Sequence, residues 1–412
     1  MLKPQPLLEI TSLGGLGDGI GSLDGKPVFV PKACVGDVLE VRIIRENHDG
    51  LQAIINNIVT SGPDRVVPPC PHFTLCGGCK LQQLSAPAYR AFKTRMLHSA
   101  LSYGGFEMAD AEMVFVPAGA RRRVEFTANY ANGRVALGFN ELRSNRPVSI
   151  TNCMVLEPVL QTLFAPLCDV LSALSFAEDI KTVSLTVADN GVDMVIETKS
   201  TLPAWKGEFA GIDRISIRHG DQLKTIHERV PVEMNLGNYA IALPPDSFLQ
   251  ATREGQAKLT EIVLESTKST TSVVDLFCGI GTYSFGLSRF ANTHAVEGDA
   301  TMVQTMKTSI TRHAIKTLTA EQRDLFKKPL TTQELARFDA AVINPPRIGA
   351  KAQTQALADS SINKIVMVSC NPATFSRDAK ILKQAGFTLT RALGIDQFVY
   401  SPYLEIVAIF ER

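Results

Sequence analysis

The sequence predicts an α/β protein whose last third folds as a largely parallel sheet behind two β-rich regions. Three observations carry this. From about residue 255, short apolar runs (SVVDLF, THAVEG, DAAVIN, KIVMVSC) alternate with polar or amphipathic stretches of helical character, as strands joined by crossover helices do. The first of these runs, Val273 to Phe277, leads into a glycine turn, Cys278-Gly279-Ile280-Gly281, at the strand end where such sheets place their ligands. Ahead of residue 240 the strand-like runs are separated by turn signals, and helical stretches are few.

The elements follow in chain order. Residues 1 to about 62 hold short strand-like runs (PVFV, VLEVRII, QAIINNIV) separated by Gly14-Gly15, Asp24-Gly25 and Asp49-Gly50, which predicts a small β-barrel. The stretch from Ser61 to Pro69 is too rich in proline to continue a ladder or a helix and marks a linker. Residues 87–103 carry apolar side chains at helical spacing, and strand-like runs return from about 119 to 235, interrupted by one helix near EPVLQTLFAPLCDVLSAL. The chain of 412 residues, 45% hydrophobic and 20% charged with a net charge of +1, belongs to the soluble globular class; disorder and fibres are excluded, and overall charge gives no clue to a partner. No apolar run reaches 18 residues and the N-terminus lacks a signal-peptide pattern, so a cytoplasmic protein without a membrane segment is expected. Eight cysteines are few for a chain this long, and the clustering of Cys70, Cys76 and Cys79 suits metal binding or catalysis in a reducing compartment better than a disulfide framework.

Glycines at 279 and 281 let a backbone approach a ligand closely, although an ordinary tight turn would also use them. Glu297 ends the next strand, where a carboxylate can accept from both hydroxyls of a ribose, and Asp324 follows one helix later. Glycine turn, acidic strand end and later Asp resemble class I S-adenosylmethionine-dependent methyltransferases. A dinucleotide fold competes, but Gly279-x-Gly281-x-x-Ser284 lacks its third glycine.

Two further strand ends are unusual. Asn344-Pro345-Pro346 is followed by Arg347 instead of the aromatic ring common in amino-group methyltransferases, which disfavours an exocyclic amine target. Cys370 ends the run IVMVSC just before a helical stretch, where a thiolate would be favoured, although a buried structural cysteine is the commoner use. Beside a methyl donor such a cysteine has a specific use, because C5 of a pyrimidine is a weak nucleophile until a thiolate adds at C6.

The segments DLFCGIGTYS, INPPRIG, VSCNPATFSRD and EIVAIFER resemble the RNA uracil-5-methyltransferase family that modifies transfer and ribosomal RNA, and the likeness covers nearly the whole chain. The resemblance implies Cys370 as nucleophile and Glu405 as the base that removes the C5 proton. It implies donor contacts from Gln250, Phe277, Thr282, Glu297, Asp324 and Asn344, beside Gly279 and Gly281 of the turn. This chain departs from the family in having Asn344 for a common Asp, Thr282 for a common Asn, and Phe398-Val399-Tyr400-Ser401-Pro402-Tyr403-Leu404-Glu405 for an approach that usually carries two histidines.

Cys70, Cys76 and Cys79, spaced C-x5-C-x2-C, and the distant Cys153 could supply four thiolates to zinc or to an iron–sulfur cluster, and spacing alone does not choose. The resemblance, strongest in CGGCKLQ, implies a structural [4Fe-4S] cluster. The first β segment resembles a TRAM domain, an OB-like RNA-binding barrel, in Gly17-Asp18-Gly19-Ile20-Gly21 and the run from Gly25 to Val30. Between residues 65 and 146 eleven Lys and Arg face five Asp and Glu, and Arg121, Arg122, Arg123, Arg143 and Arg146 form the densest points, which suits phosphate contacts.

Together these imply a TRAM-like barrel over 1–62, a central β-rich iron–sulfur domain over 63–84 and 119–237, and a class I methyltransferase (Rossmann-like) domain over 85–118 and 238–412. The expected activity is S-adenosylmethionine-dependent methylation of C5 of a specific uridine, in 23S ribosomal RNA before transfer RNA, since a barrel ahead of the cysteine cluster is typical of the ribosomal enzymes. No obligate protein partner is expected. The alternatives are a catalytically degenerate iron–sulfur RNA-binding protein, a transfer-RNA uridine enzyme and an amino-group methyltransferase.

Overall fold

The computed structural model describes residues 6–200 and 208–412; five residues of the expected barrel span and seven of the central span (201–207) lie outside the described residues. The chain divides into two compact units. The first comprises Met1–Met96, Phe139–Val148 and Phe398–Tyr403, the second Leu97–Gly138, Ser149–Gln397 and Leu404–Arg412.

The first unit contains strands β1 (Leu7–Glu9), β2 (Ser12–Leu13), β3 (Gly19–Leu23), β4 (Lys26–Val30), β5 (Val38–Asn47) and β6 (Gly50–Thr60), in the order β1-β5-β6-β4-β3-β2. Asp24 and Gly25, both at positive φ, make the two-residue turn between β3 and β4, as the Asp-Gly pair predicts. The sheet curls around Leu8, Ile10, Val28, Val30, Leu39, Val41 and Ala53. Buried Asp37 accepts from the amide of Gly62 at 2.9 Å and from Arg65 Nε at 2.8 Å, which ties the proline-rich linker to this sheet. Helix α1 (Ala86–Tyr103) begins in this unit, where Tyr89 packs on Tyr400 with ring centroids 5.7 Å apart.

Strands β8 (Arg123–Ala131), β9 (Arg134–Asn140), β10 (Pro147–Ser149), β11 (Ile180–Val187), β12 (Val192–Thr198), β13 (Arg214–His219) and β14 (Gln222–Glu228) form a sheet in the order β10-β9-β8-β11-β12-β13-β14. Helix α2 (Pro158–Ser172) starts on a proline whose fixed φ suits the first turn, and Phe164 meets Phe126 of β8 edge to face. A hairpin, β15 (Glu233–Leu236) and β16 (Tyr239–Ala242), precedes the last domain-sized segment.

That segment alternates helices α3 (Arg253–Thr267), α4 (Ser284–Leu287), α5 (Ala300–Arg312), α6 (Thr332–Leu335), α7 (Lys351–Ala358) and α8 (Pro372–Gln384) with strands β17 (Ser272–Leu276), β18 (Asn292–Glu297), β19 (Leu318–Gln322), β20 (Ala340–Ile343), β21 (Lys364–Ser369), β22 (Thr388–Asp396) and β23 (Glu405–Glu411). With β7 (Glu112–Phe115) the sheet order is β19-β18-β17-β20-β21-β23-β22-β7. The strands from β19 to β21 pair in parallel, whereas β23 inserts antiparallel between β21 and β22. The order reverses between β17 and β20, and such a switch point opens a crevice at the strand carboxyl ends. Val273, Val342, Val366, Val368 and Val407 lie in one core cluster, because helices cover both faces and leave these strands no wet side.

Candidate active site

The residues expected to hold the methyl donor collect along the carboxyl edge of β17, β18, β19 and β20. Phe277, just past β17, is held at φ 59, a left-handed conformation costly for a residue with a Cβ. Its ring lies 5.2 Å from that of Phe326, so the edge carries a small aromatic wall. Gly279 stands at φ 58, and a Cβ built on it would meet nothing nearer than the Met302 sulfur at 4.0 Å, so the backbone there faces open space. Its amide donates to Glu297 Oε2 at 2.9 Å, while Glu297 Oε1 accepts from the amides of Gly298 and Asp299 at 2.7 and 3.0 Å. The carboxylate is thus aimed beside the turn by three backbone donors. Gly281 differs: a Cβ there would come within 2.9 Å of Met306 and the Phe285 ring, so this glycine serves packing under the turn.

Asp324 accepts from the amides of Phe326 and Lys327 and pairs with Lys327 Nζ, which lowers its pKa, so it is anionic at neutral pH. The amide of Asn344 donates to the Leu276 carbonyl at 3.2 Å, placing Asn344 beside the turn, and Thr282 is half-buried within it. An open glycine backbone, an aromatic wall and two anchored carboxylates fit an adenosine with a ribose diol and suit S-adenosylmethionine.

The reacting end lies further along the same edge. Register pairs Ser369 of β21 with Ile406 of β23, so Cys370 falls opposite Glu405 one step on; it also pairs Ile395 of β22 with Glu405, which brings Gln397 to the same corner. Gln397 Nε2 donates to Glu405 Oε2 at 2.8 Å and to Gln250 Oε1 at 2.7 Å. Burial pushes the Glu405 carboxyl up to about 7, and the Gln397 bond opposes that rise. Burial and then the charge of Glu405 push the Cys370 thiol up to about 11, against the pull of Arg347. The expected helix follows, capped by Asn371, whose side chain accepts from the Ala373 amide at 3.1 Å. Burial and Glu405 nevertheless outweigh that helix end, so Cys370 rests as a thiol, contrary to the thiolate expected from sequence. Arg347 and Gln397 are not among the site residues the sequence points to; the polar pair Asp396-Gln397 closing an apolar strand is the signal that marks the latter.

The segment ahead of Glu405, where the family's histidines are absent, belongs to the first unit and is fixed there. The amide of Tyr400 donates to the Tyr89 hydroxyl at 3.0 Å, its carbonyl accepts from the amides of Lys80 and Leu81, and Lys93 Nζ donates to the Tyr403 carbonyl at 2.5 Å.

Lys32 Nζ donates to the carbonyls of Phe73, Thr74 and Cys76, and its charge interacts electrostatically with Cys76, Cys79 and Cys70. Among the described residues, no three His, Cys, Asp or Glu side chains converge closely enough to hold a metal ion. The chain as described therefore presents no formed ligand set for a cluster, and Cys153 lies in the second unit.

Of the five arginines expected at RNA, Arg122 requires correction. It is 1% exposed, donating from Nε to the Gln250 carbonyl at 3.0 Å and from its terminal nitrogen to Gln256 Oε1 at 2.5 Å. A buried guanidinium so engaged clamps the protein's own backbone and has no face for a phosphate. Arg121 donates to the Arg123 carbonyl, Arg123 lies over the exposed Phe248 ring at 5.7 Å, Arg143 pairs with Asp18, and Arg146 is exposed beside Glu141.

The profile of the family described as tRNA (uracil-5-)-methyltransferase matches residues 222–412. An uncharacterized RNA methyltransferase of Caulobacter vibrioides is 36% identical over 98% of this chain and 99% of its own length. The 23S rRNA (uracil(1939)-C(5))-methyltransferase RlmD of Pectobacterium atrosepticum is 30% identical over 98% of this chain and 93% of its own. The crystal structure of Pyrococcus abyssi tRNA (uracil-54, C5)-methyltransferase with S-adenosyl-L-homocysteine shares the fold, with a TM-score of 0.76 at 22% identity over 98% of this chain and 99% of that one.

Proposed function

Because this chain belongs to the RNA uracil-5-methyltransferase family and is an S-adenosylmethionine-dependent enzyme, we propose that it methylates C5 of a uridine in 23S ribosomal RNA through a covalent adduct of Cys370 with C6. The observation that carries the chemistry is the juxtaposition of Cys370 and Glu405 across the ends of β21 and β23, with Glu405 buried and titrating near 7. A group of that pKa can take a proton at neutral pH and release it again. Cys370 Sγ loses its proton to solvent and forms a bond to C6, and the electrons of the C5–C6 double bond move onto C5 and the O4 carbonyl. S-adenosylmethionine, when bound, would supply an electrophilic methyl group to C5 and leave as the neutral thioether. Glu405 then takes the C5 proton, the electron pair restores the double bond, and the Cys370 thiolate leaves. Gln250, Phe277, Gly279, Thr282, Glu297, Asp324 and Asn344 would hold the donor. Arg121, Arg123, Arg143 and Arg146 would meet phosphates, and a uridine in structured RNA must be flipped out to reach the thiol.

Ribosomal RNA is favoured by the whole-length identity to the ribosomal enzyme. Architecture no longer separates the substrates, since a transfer-RNA enzyme shares the fold over the full chain. The iron–sulfur cluster rests on the CGGCKLQ segment alone, and no step depends on it.

The test is a covalent trap. Protein, S-adenosylmethionine and 5-fluorouridine-substituted ribosomal RNA are mixed, and digests are searched by mass spectrometry for a methylated nucleotide on Cys370. Fluorine cannot leave as a proton does, so the adduct is expected to persist. RNA binding without an adduct on ribosomal or transfer RNA would overturn the mechanism.

A further inference from the structure

We propose that Gln397 is a positioning residue for the general base: its side-chain amide donates to Glu405, aims the carboxylate and links it to Gln250 of the donor site. The inference rests on the reading of Glu405 as the base, and its support is geometric. Gln397 is 1% exposed and its Nε2 is committed to both Glu405 Oε2 and Gln250 Oε1. Among the described residues its Oε1 is buried without a hydrogen-bond partner. Gly255 in the first turn of α3 leaves room for this amide, since a Cβ there would stand 2.7 Å from Gln397 Oε1, 2.8 Å from Thr252 Oγ1 and 3.2 Å from Gln397 Cβ.

The amide has two chemically distinct sides. Its N–H favours the carboxylate form of Glu405, whereas the bare Oε1, if turned round, would favour the protonated acid. As oriented, it opposes the rise that burial imposes on Glu405. The titratable groups that feel Glu405 are the phenol of Tyr283 and the thiol of Cys370, and neither contributes a positive charge to hold the carboxylate ionised. Gln397 therefore supplies the stabilisation that a nearby cation would give elsewhere. Its second bond, to Gln250, makes the aim of the base depend on the residue expected to touch the donor.

The experiment is a single-turnover assay with methyl-labelled S-adenosylmethionine and uridine-containing ribosomal RNA, quenched in SDS so that methylated adduct and released RNA are counted separately. Gln397→Leu is expected to leave methyl incorporation into the adduct within about threefold but to slow its resolution at pH 7 by about fivefold, because a rise of one unit from about 7 takes the ionised fraction of the base at that pH from about a half to about a tenth. Resolution should recover as the pH is raised toward about 9, because alkali restores the carboxylate. Gly255→Ala, which crowds the same amide, should give the same pH-rescued defect, and it carries the test should Gln397→Leu fail to fold. Glu405→Gln should accumulate methylated adduct at every pH. If Glu405→Gln accumulates adduct while both other variants resolve it with the wild-type rate and pH profile, the role of Gln397 is overturned and the base reading stands. If Glu405→Gln resolves its adduct normally, the base reading falls and Gln397 with it.

Discussion

At Glu405 the proposed role as base and the stability of the fold oppose each other. Burial raises the carboxyl from 4.5 to about 7. The unfolded chain therefore loses this proton near 4.5 while the folded chain keeps it to about 7, so stability falls as the pH rises between those values and stays low above. Glu405→Gln is expected to abolish turnover yet to stabilise the fold at pH 8 by about 3 kcal/mol at most, with little difference near pH 4, as urea titration at the two pH values would show. Cys370 is the mirror case, since a thiol held near 11 is a poor nucleophile until positive charge arrives beside it, and Arg347 alone is insufficient. Buried Asp275, raised to about 7 and bonded to the Ser284 hydroxyl, loads the base of the glycine turn in the same way.

Strand ends and helix starts assemble these residues. Thr252, Asp299 and Asn371 each cap a helix, with side chains accepting from the amides of Gly255, Met302 and Ala373, and so bring the starts of α3, α5 and α8 to a defined place. Arg122, one residue ahead of β8, belongs at this scale: it holds the Gln250 carbonyl and Gln256 of α3, while its own carbonyl accepts from Val187 of β11. Arg122→Ala is expected to cost about 2–4 kcal/mol of stability by leaving a buried carbonyl and amide unpaired, and to leave the salt slope of RNA binding unchanged. Arg146→Ala, at an exposed position, should lower that slope by about one and leave stability alone. Thermal unfolding and binding across a salt series separate the two.

At the scale of the whole chain the cysteine loop and the substrate remain to be tested. Lys32 staples that loop to the barrel through three carbonyls, so the loop has a fixed base. If a four-iron cluster binds, anaerobically purified protein should contain about four iron and four sulfide per chain; colourless protein with zinc would overturn the cluster. The alternation of strand and helix, the glycine turn and the order of Glu297, Asp324, Cys370 and Glu405 were legible in the sequence, because strand-end chemistry in a parallel sheet is set by local runs whose neighbours along the chain are also neighbours in space. Gln397 beside Gln250, separated by 147 residues, was not legible, and neither was the burial of Arg122, since three adjacent arginines look alike until the strand pleat and the packing of α3 decide which one turns inward. The sequence by itself determined the family and the fold class and singled out the residues proposed to react. Only the tertiary structure decided their protonation states, because burial and the sign of the nearest charge depend on contacts between distant segments.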